Sequence, residues 1–93
     1  MRIWVYGDSP EQIQSMIETG TGTADTVVGT STCAASGSTF PQSGLTPAIS
    51  AAIQEKIDLL LVPKFEILGS EASAARIIEL FQSCGVSIRS ISN

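Results

Sequence analysis

The sequence predicts one α/β domain, built as three layers with a mostly parallel four-stranded sheet and helices on both faces. Three observations support this fold class: strand-like and helix-like segments alternate in the order β-α-β-α-β-α-β, no Asn-Gly or Asp-Gly pair marks a hairpin, and residues 57–62 are almost entirely apolar. Alternation of this kind implies right-handed crossovers between parallel strands. An unbroken apolar run is typical of a central strand that is covered on both faces.

The first βα unit carries the clearest local signals. Residues 2–6 are rich in β-branched and aromatic side chains and predict the first strand. Ser9 suits the N-cap of the following helix, Pro10 its first position, and Gln12 the third position of a capping box. Apolar residues then recur at helical spacing until Gly20, which predicts a helix with one buried face. They are Ile13, Met16 and Ile17.

The middle of the chain predicts a strand, a loop and a helix. Residues 25–30 indicate the second strand, and residues 31–44 consist largely of Ser, Thr, Ala and Gly, which favours a long loop. Thr46-Pro47 repeats the pattern of a cap followed by proline and predicts the start of the second helix. The residues expected on its inner face are Ile49, Ala52 and Ile53.

The last third of the chain completes the predicted alternation. Residues 57–62 form the third strand, Ser70-Glu71 begins the third helix, and Gly85 suits the position just after that helix. The helix stripe expected to be buried is Ala74, Ile77, Ile78 and Phe81, and the last strand is expected to contain Val86, Ile88 and Ile91. We therefore expect one domain over residues 1–93.

Composition limits the classes of function. Five basic residues face nine acidic ones, giving a net charge of −4, and the five are scattered along the chain. Because affinity for DNA comes largely from cations that neutralise phosphates, DNA binding by this domain alone is disfavoured. The chain contains no histidine, two cysteines and no apolar run long enough for a membrane span, so we expect no metal or other cofactor, no membrane contact and a reducing cytoplasmic location.

Three stretches in this order resemble the N-terminal catalytic domain of serine recombinases, the resolvase and invertase family. Val5-Tyr6-Gly7-Asp8-Ser9 is similar to the family's strand ending in Tyr-x-Arg-x-Ser, and Ala35-Ser36-Gly37-Ser38 up to Gly44-Leu45 is similar to its Ala-Ser-Gly-x segment. Residues 57–69 resemble its apolar strand leading into Lys-x-Asp-Arg-Leu-Gly-Arg. The resemblance implies a resolvase-like core that lacks the family's long dimerisation helix and DNA-binding tail.

The same resemblance implies a set of site residues. Ser9 is an approximate match to the serine that attacks the DNA phosphate, and Lys64 and Glu66 occupy the lysine and acidic positions of the third motif. The other candidate substrate-binding residues are Tyr6, Ser36 and Ser38. No cofactor is implied.

The departures from the family fall on its arginines. Asp8, Gln42, Ile67 and Ser70 stand where the family's motifs have arginine. A serine that attacks a phosphodiester builds negative charge on the phosphoryl oxygens, and losing one preorganised donor for that charge typically costs about 3–4 kcal/mol. We therefore expect that DNA strand transfer has been lost.

Each candidate residue also has a purely structural interpretation. Ser9 can serve only as the N-cap, which is the favoured interpretation because no activating base is visible in the sequence. The Ser-rich loop over residues 31–38 can wrap a phosphate or simply be solvated, and the second is favoured. Lys64 and Glu66 can form no more than an ion pair at the rim of the sheet.

Three functions remain open from the sequence. The first is a non-catalytic recombinase-like domain, a remnant or regulator from a mobile element, that pairs with itself or with an intact recombinase. The second is a residual enzyme that uses Ser9 on a phosphoester, which a plasmid-nicking assay tests. The third is a small α/β module that binds an anion or nucleotide at the strand ends, which a thermal-shift assay tests.

Overall fold

The computed structural model describes residues 1–32, 45–68 and 71–91, and of Phe65 and Glu66 it describes the backbone. The predicted site residues Ser36 and Ser38 lie outside the described residues. Eight elements follow one another in the described ranges. They are β1 (Arg2–Gly7), α1 (Pro10–Gly20), β2 (Thr26–Thr32), α2 (Thr46–Ile53), β3 (Leu59–Val62), a 3-10 helix (Phe65–Leu68), α3 (Glu71–Ser83) and β4 (Ser87–Ser90).

The strands form one parallel sheet in the order β2-β1-β3-β4. This confirms the predicted fold class, and β3 lies beside β1 in the middle of the sheet, as its apolar sequence indicates. All four residues of β3 are buried. The register of β1 against β2 shifts once, between Ile3 and Trp4, so that Trp4 lies opposite Gly29.

Alternate residues of the central strands divide the core into two halves. Ile3 and Val5 on β1 face α1, where they pack with Ile13 and Met16. Tyr6 lies in the other half of the core, which α2 and α3 cover. This two-sided burial is what the period of two along a β-strand dictates when helices lie on both faces. None of the described helices is long and apolar enough to cross a membrane.

The structure differs from the sequence prediction in the second helix. Of the three residues predicted on its inner face, Ala52 is buried and Ile49 is partly buried against the core, whereas Ile53 is 62% exposed. The other buried residues of the helix are Ala48 and Ala51. The helix is rotated toward its small side chains, which allow its backbone to lie close to the sheet. Leu45, rather than Thr46, occupies the N-cap, and it makes no side-chain capping hydrogen bond.

The ends of α2 and α3 share one geometry. After α3, Gly85 has a φ of 79°, its N–H donates to the Gln82 carbonyl, and the Val86 N–H donates to the Phe81 carbonyl. This is the Schellman motif, which confirms the predicted role of Gly85. After α2 the equivalent left-handed position is held by Glu55, with a φ of 59°. A non-glycine residue in this conformation is strained.

Candidate functional site

The carboxyl ends of the two central strands meet at one edge of the sheet. β1 ends at Gly7 and leads into Asp8 and Ser9, and β3 ends at Val62 and leads through Pro63 to Lys64. Because β1 and β3 are adjacent and parallel, these segments share the same edge, where ligands bind in open α/β sheets. The structure thus places Ser9, Lys64 and the 3-10 helix that contains Glu66 at the edge that the sequence predicts.

Ser9 is the N-cap of α1. Its Oγ accepts a hydrogen bond from the Gln12 backbone N–H at 3.2 Å, and its carbonyl accepts from the Ile13 N–H at 3.0 Å. Gln12 reaches back in turn, because its Oε1 accepts from the Asp8 backbone N–H at 2.6 Å. The predicted cap is therefore confirmed, with one difference: the returning bond comes from Asp8, one residue before the cap. Ser9 is half-buried and Asp8 is exposed.

Tyr6 is a core residue. Its side chain is fully buried and packs among Leu45, Val62 and the inner residues of α2 and α3. It lies one residue before the end of β1, directly below the edge that carries Asp8 and Ser9. In this conformation it supports the edge from beneath, and its assignment to substrate binding stays a prediction. Lys64, by contrast, is exposed.

Arg2 lies at the opposite edge of the sheet. Its Nε and Nη2 donate to the two carboxylate oxygens of Asp58 at 3.1 Å each, and its Nη1 donates to the Glu55 carbonyl at 2.8 Å. The side-chain hydrogen bonds from Arg2 lower the pKa of Asp58 to about 2, and the same bonds raise the pKa of Arg2. Arg2 and Gly7 are five residue steps apart along β1, which corresponds to roughly 17 Å.

The Arg2–Asp58 pair is not among the features predicted from the sequence, although its signal is present there. Arg2 opens β1, and Asp58 directly precedes β3. Once these strands are predicted to be parallel neighbours, their first residues must lie side by side at the amino edge. The pair is exposed, so it fastens the edge of the sheet and provides no buried reactive group.

The other two arginines are also held away from Ser9. Arg89 on β4 donates from Nη2 to the carbonyl of Gly20 at 3.1 Å. Gly20 is the last residue of α1, so it lies one helix length from Ser9, which is about 16 Å for eleven residues. Arg76 is exposed on α3, which covers the face opposite to α1. The fold therefore holds the guanidinium groups of Arg2 and Arg89 away from the Ser9 hydroxyl, and Arg76 lies on the helix that covers the other face of the sheet.

Two open grooves flank α1, because a single helix covers only part of a four-stranded sheet. The larger has a volume of about 420 Å³ and runs between α1 and β2, and the smaller, of about 210 Å³, runs between α1 and the ends of β3 and β4. Their lining residues all have uncharged side chains. They are Pro10, Ile13, Gln14, Ile17, Thr30, Ser31 and Thr32 in the larger groove, and Gln12, Ser15, Met16, Thr19, Pro63 and Ile91 in the smaller.

Such linings offer hydrogen bonds and apolar contacts but no group for acid–base catalysis near neutral pH. Within the described ranges, no cluster of three acidic, cysteine or histidine side chains is placed to hold a metal ion. Of the described side chains that directly follow β1 and β3, those of Asp8, Ser9 and Lys64 carry polar groups at the carboxyl edge.

The fold is that of a serine recombinase catalytic domain. The chain is similar to the C-terminal catalytic domain of ISC1926 TnpA, an IS607-like serine recombinase, with a TM-score of 0.78 and 22% identity over 98% of this chain and 67% of that one. It is also similar to the first open reading frame of transposon ISC1904 from Sulfolobus solfataricus P2, with a TM-score of 0.71 and 10% identity over 99% of this chain and 66% of that one. No protein-family model and no curated protein matches the sequence.

These similarities confirm the predicted resemblance at the level of the fold. The chain spans about two thirds of each of the two solved chains. In ISC1926 TnpA the similar domain is C-terminal, whereas the sequence motifs of this chain resemble those of an N-terminal catalytic domain.

Proposed function

We propose that this recombinase-like domain acts by associating with other protein chains and does not itself transfer DNA strands. The observation that carries the proposal is the placement of the guanidinium groups. Arg2 is paired with Asp58 at the amino edge, Arg89 is bonded to the far end of α1, and Arg76 lies on the opposite face, while Ser9 stands at the carboxyl edge.

The charge beside Ser9 supports the same proposal. Asp8 is exposed and directly precedes Ser9, so a phosphodiester brought to the hydroxyl would approach a carboxylate. The transition state for attack on a phosphodiester places more negative charge on the phosphoryl oxygens than the ground state does. Each missing preorganised donor to these oxygens costs about 3–4 kcal/mol of transition-state stabilisation. Lys64 is the basic residue that follows a strand at this edge. One exposed ammonium group is a single point charge and does not replace several planar guanidinium donors.

Two features support protein association: the fold, and the larger recombinase of which a similar domain is a part. In ISC1926 TnpA the similar domain is the catalytic part of a recombinase, joined to further chain. In this proposal the domain keeps the fold, has lost the chemistry, and pairs through its surface with a second copy of itself or with an intact recombinase. We propose one of these two as the partner.

A residual Ser9-dependent enzyme is the second candidate. It is favoured by one observation: Ser9 is at a helix start at the carboxyl edge, beside the segment that carries Lys64. A supercoiled-plasmid nicking assay separates the proposed function from the second one. It compares the wild-type chain with Ser9→Asn and uses an intact serine recombinase as the positive control. Asparagine keeps the N-cap but has no hydroxyl, so this variant separates chemistry from folding.

We expect no nicking by wild type or Ser9→Asn. Nicking by wild type that disappears in Ser9→Asn would overturn the non-catalytic proposal. The association half of the proposal is tested by light scattering and by co-elution with an intact serine recombinase. A chain that stays monomeric and elutes alone in both experiments contradicts it.

A further inference from the structure

The charged residues are unevenly distributed along the chain. Residues 26–54 contain no Asp, Glu, Lys or Arg, and all five basic and nine acidic residues lie before or after this stretch. At the chain's overall share of 15% charged residues, a stretch of this length would contain about four.

The fold gathers the described part of this stretch on one side of the molecule. The stretch supplies β2, which is an outer strand of the sheet, and α2, which packs against β2. Together β2 and α2 form what we call the uncharged side. Its boundary with the charged surface is marked by Asp25, just before β2, and by Glu55, just after α2.

The uncharged side exposes apolar groups. Val28 on β2 is 43% exposed, and Ile53 on α2 is 62% exposed. The register shift in β2 leaves Val28 without a partner residue on β1. Five of the seven residues of β2 are β-branched, and the strand contains no lysine or proline, the residues by which natural proteins often prevent pairing at an outer strand.

We propose that the uncharged side, β2 with α2, is the surface through which two copies of this chain associate. Two copies of net charge −4 repel each other, and the repulsion is weakest where facing charges are separated by more than a Debye length, about 10 Å at 0.1 M salt. Contact through β2 and α2 keeps the charged surfaces of both copies at the periphery and covers Val28 and Ile53. The inference rests on the proposed function and names the surface for its self-association.

The experiment compares lysine substitutions at two exposed apolar residues. Val28→Lys puts a charge on the uncharged side, and Leu80→Lys puts the same charge on α3, where Leu80 is 39% exposed. The two variants change the net charge equally and remove apolar side chains of similar exposure, so they differ in location. Sedimentation equilibrium gives the dimer Kd of each, and circular dichroism checks that each is folded.

We expect wild type and Leu80→Lys to dimerise with similar Kd, and Val28→Lys to raise the Kd at least about tenfold, because lysine at an outer strand opposes pairing. Ile53→Lys is expected to act in the same direction from α2. The wild-type Kd should change by less than about threefold between 0.1 and 1 M salt, since no charges face each other in the contact.

The proposed surface is wrong if wild type is monomeric, if Val28→Lys and Ile53→Lys both dimerise like wild type, or if Leu80→Lys weakens the dimer as much as Val28→Lys. A wild-type dimer that both Val28→Lys and Ile53→Lys leave intact overturns the surface but keeps the proposed function. Ser9-dependent nicking overturns the proposed function even where the dimer forms through β2 and α2.

Discussion

The indole ring of Trp4 occupies the space above Gly29 on the neighbouring strand, so that a Cβ atom on Gly29 would lie 2.2 Å from Cζ3 of the ring. The indole Nε1–H donates to Ser31 Oγ at 3.0 Å, two residues further along the same strand. The absence of a side chain at Gly29 and the hydroxyl of Ser31 together fix the position of the tryptophan. This contact ties the outer strand β2 to the central strand β1.

We expect Gly29→Ala to destabilise the protein by about 1–3 kcal/mol, because the added methyl group overlaps the ring and Trp4 or β2 must shift. Gly22→Ala is the matched control, since its Cβ would meet only Asp25 Oδ2, at 3.9 Å. Urea unfolding followed by circular dichroism measures both. A Gly29→Ala variant within about 0.5 kcal/mol of wild type would contradict this packing.

The order of the elements can be predicted from the sequence because local interactions mark where each element begins or ends. Ser9 and Pro10 mark the start of α1, and Gly85 marks the end of α3, through interactions within a few residues. The inner face of α2 was predicted in part: Ala52 is buried and Ile49 packs against the core, but Ile53 is exposed. The spacing of apolar residues favours a large residue such as Ile53 on the inner face. Alanine is selected there because α2 lies close to the sheet, and this closeness depends on tertiary contacts that cannot be derived from the spacing.

The location of the candidate site could be predicted from the sequence, but the burial of Tyr6 and the partner of Arg2 could not. The parallel fold places Ser9 and Lys64 at one edge without further information. The burial of Tyr6 depends on which face its position in β1 points to, and this follows from the packing of α2 and α3. The partner of Arg2 could be identified only from the strand order, which places the start of β3, just after Asp58, beside the start of β1.

Substitutions at the ends of α2 and α3 are expected to change the stability of the protein in opposite directions. Gly85→Ala is expected to lower the free energy of unfolding by about 1–2 kcal/mol, because alanine is strained at a φ of 79°. The strain is in the backbone, since a Cβ at this position would meet no atom within 4 Å. Glu55→Gly is expected to gain about 1 kcal/mol, because it removes the same strain at a φ of 59°.

Thermal and urea unfolding of both variants measure the changes. A loss of stability in Glu55→Gly would mean that the unfolded-state entropy of glycine outweighs the relief of strain at this helix end. A neutral Gly85→Ala would contradict the left-handed cap after α3.

The Arg2–Asp58 pair predicts a dependence of stability on pH. The pKa of Asp58 is about 2 in the folded protein, against a usual value of 3.8. A carboxyl group whose pKa is lower in the folded than in the unfolded state stabilises the fold above its unfolded pKa, and the contribution is lost as the pH falls through the folded value. The stabilisation is therefore complete near neutral pH and declines from about pH 4 to about pH 2.

Carbon-detected NMR titration of the Asp58 carboxyl group measures this directly. Arg2→Ala is the matched variant, because it removes the guanidinium hydrogen bonds, and its Asp58 is expected to titrate closer to 3.8. The difference in free energy of unfolding between wild type and Asp58→Asn should shrink below about pH 4. An Asp58 that titrates at 3.8 in wild type would show that the pair does not persist in solution.

The cap at Ser9 gives a prediction that separates structure from chemistry. Ser9→Ala removes the acceptor for the Gln12 N–H and is expected to cost about 1 kcal/mol, whereas Ser9→Asn supplies another acceptor and is expected to remain within about 0.5 kcal/mol of wild type. Gln12→Ala leaves the Asp8 N–H without its 2.6 Å bond and should destabilise in the same direction as Ser9→Ala. Urea unfolding of the three variants decides the matter. If Ser9→Ala is as stable as wild type, the hydroxyl has no structural role at the start of α1, and its position at the carboxyl edge then needs a chemical explanation.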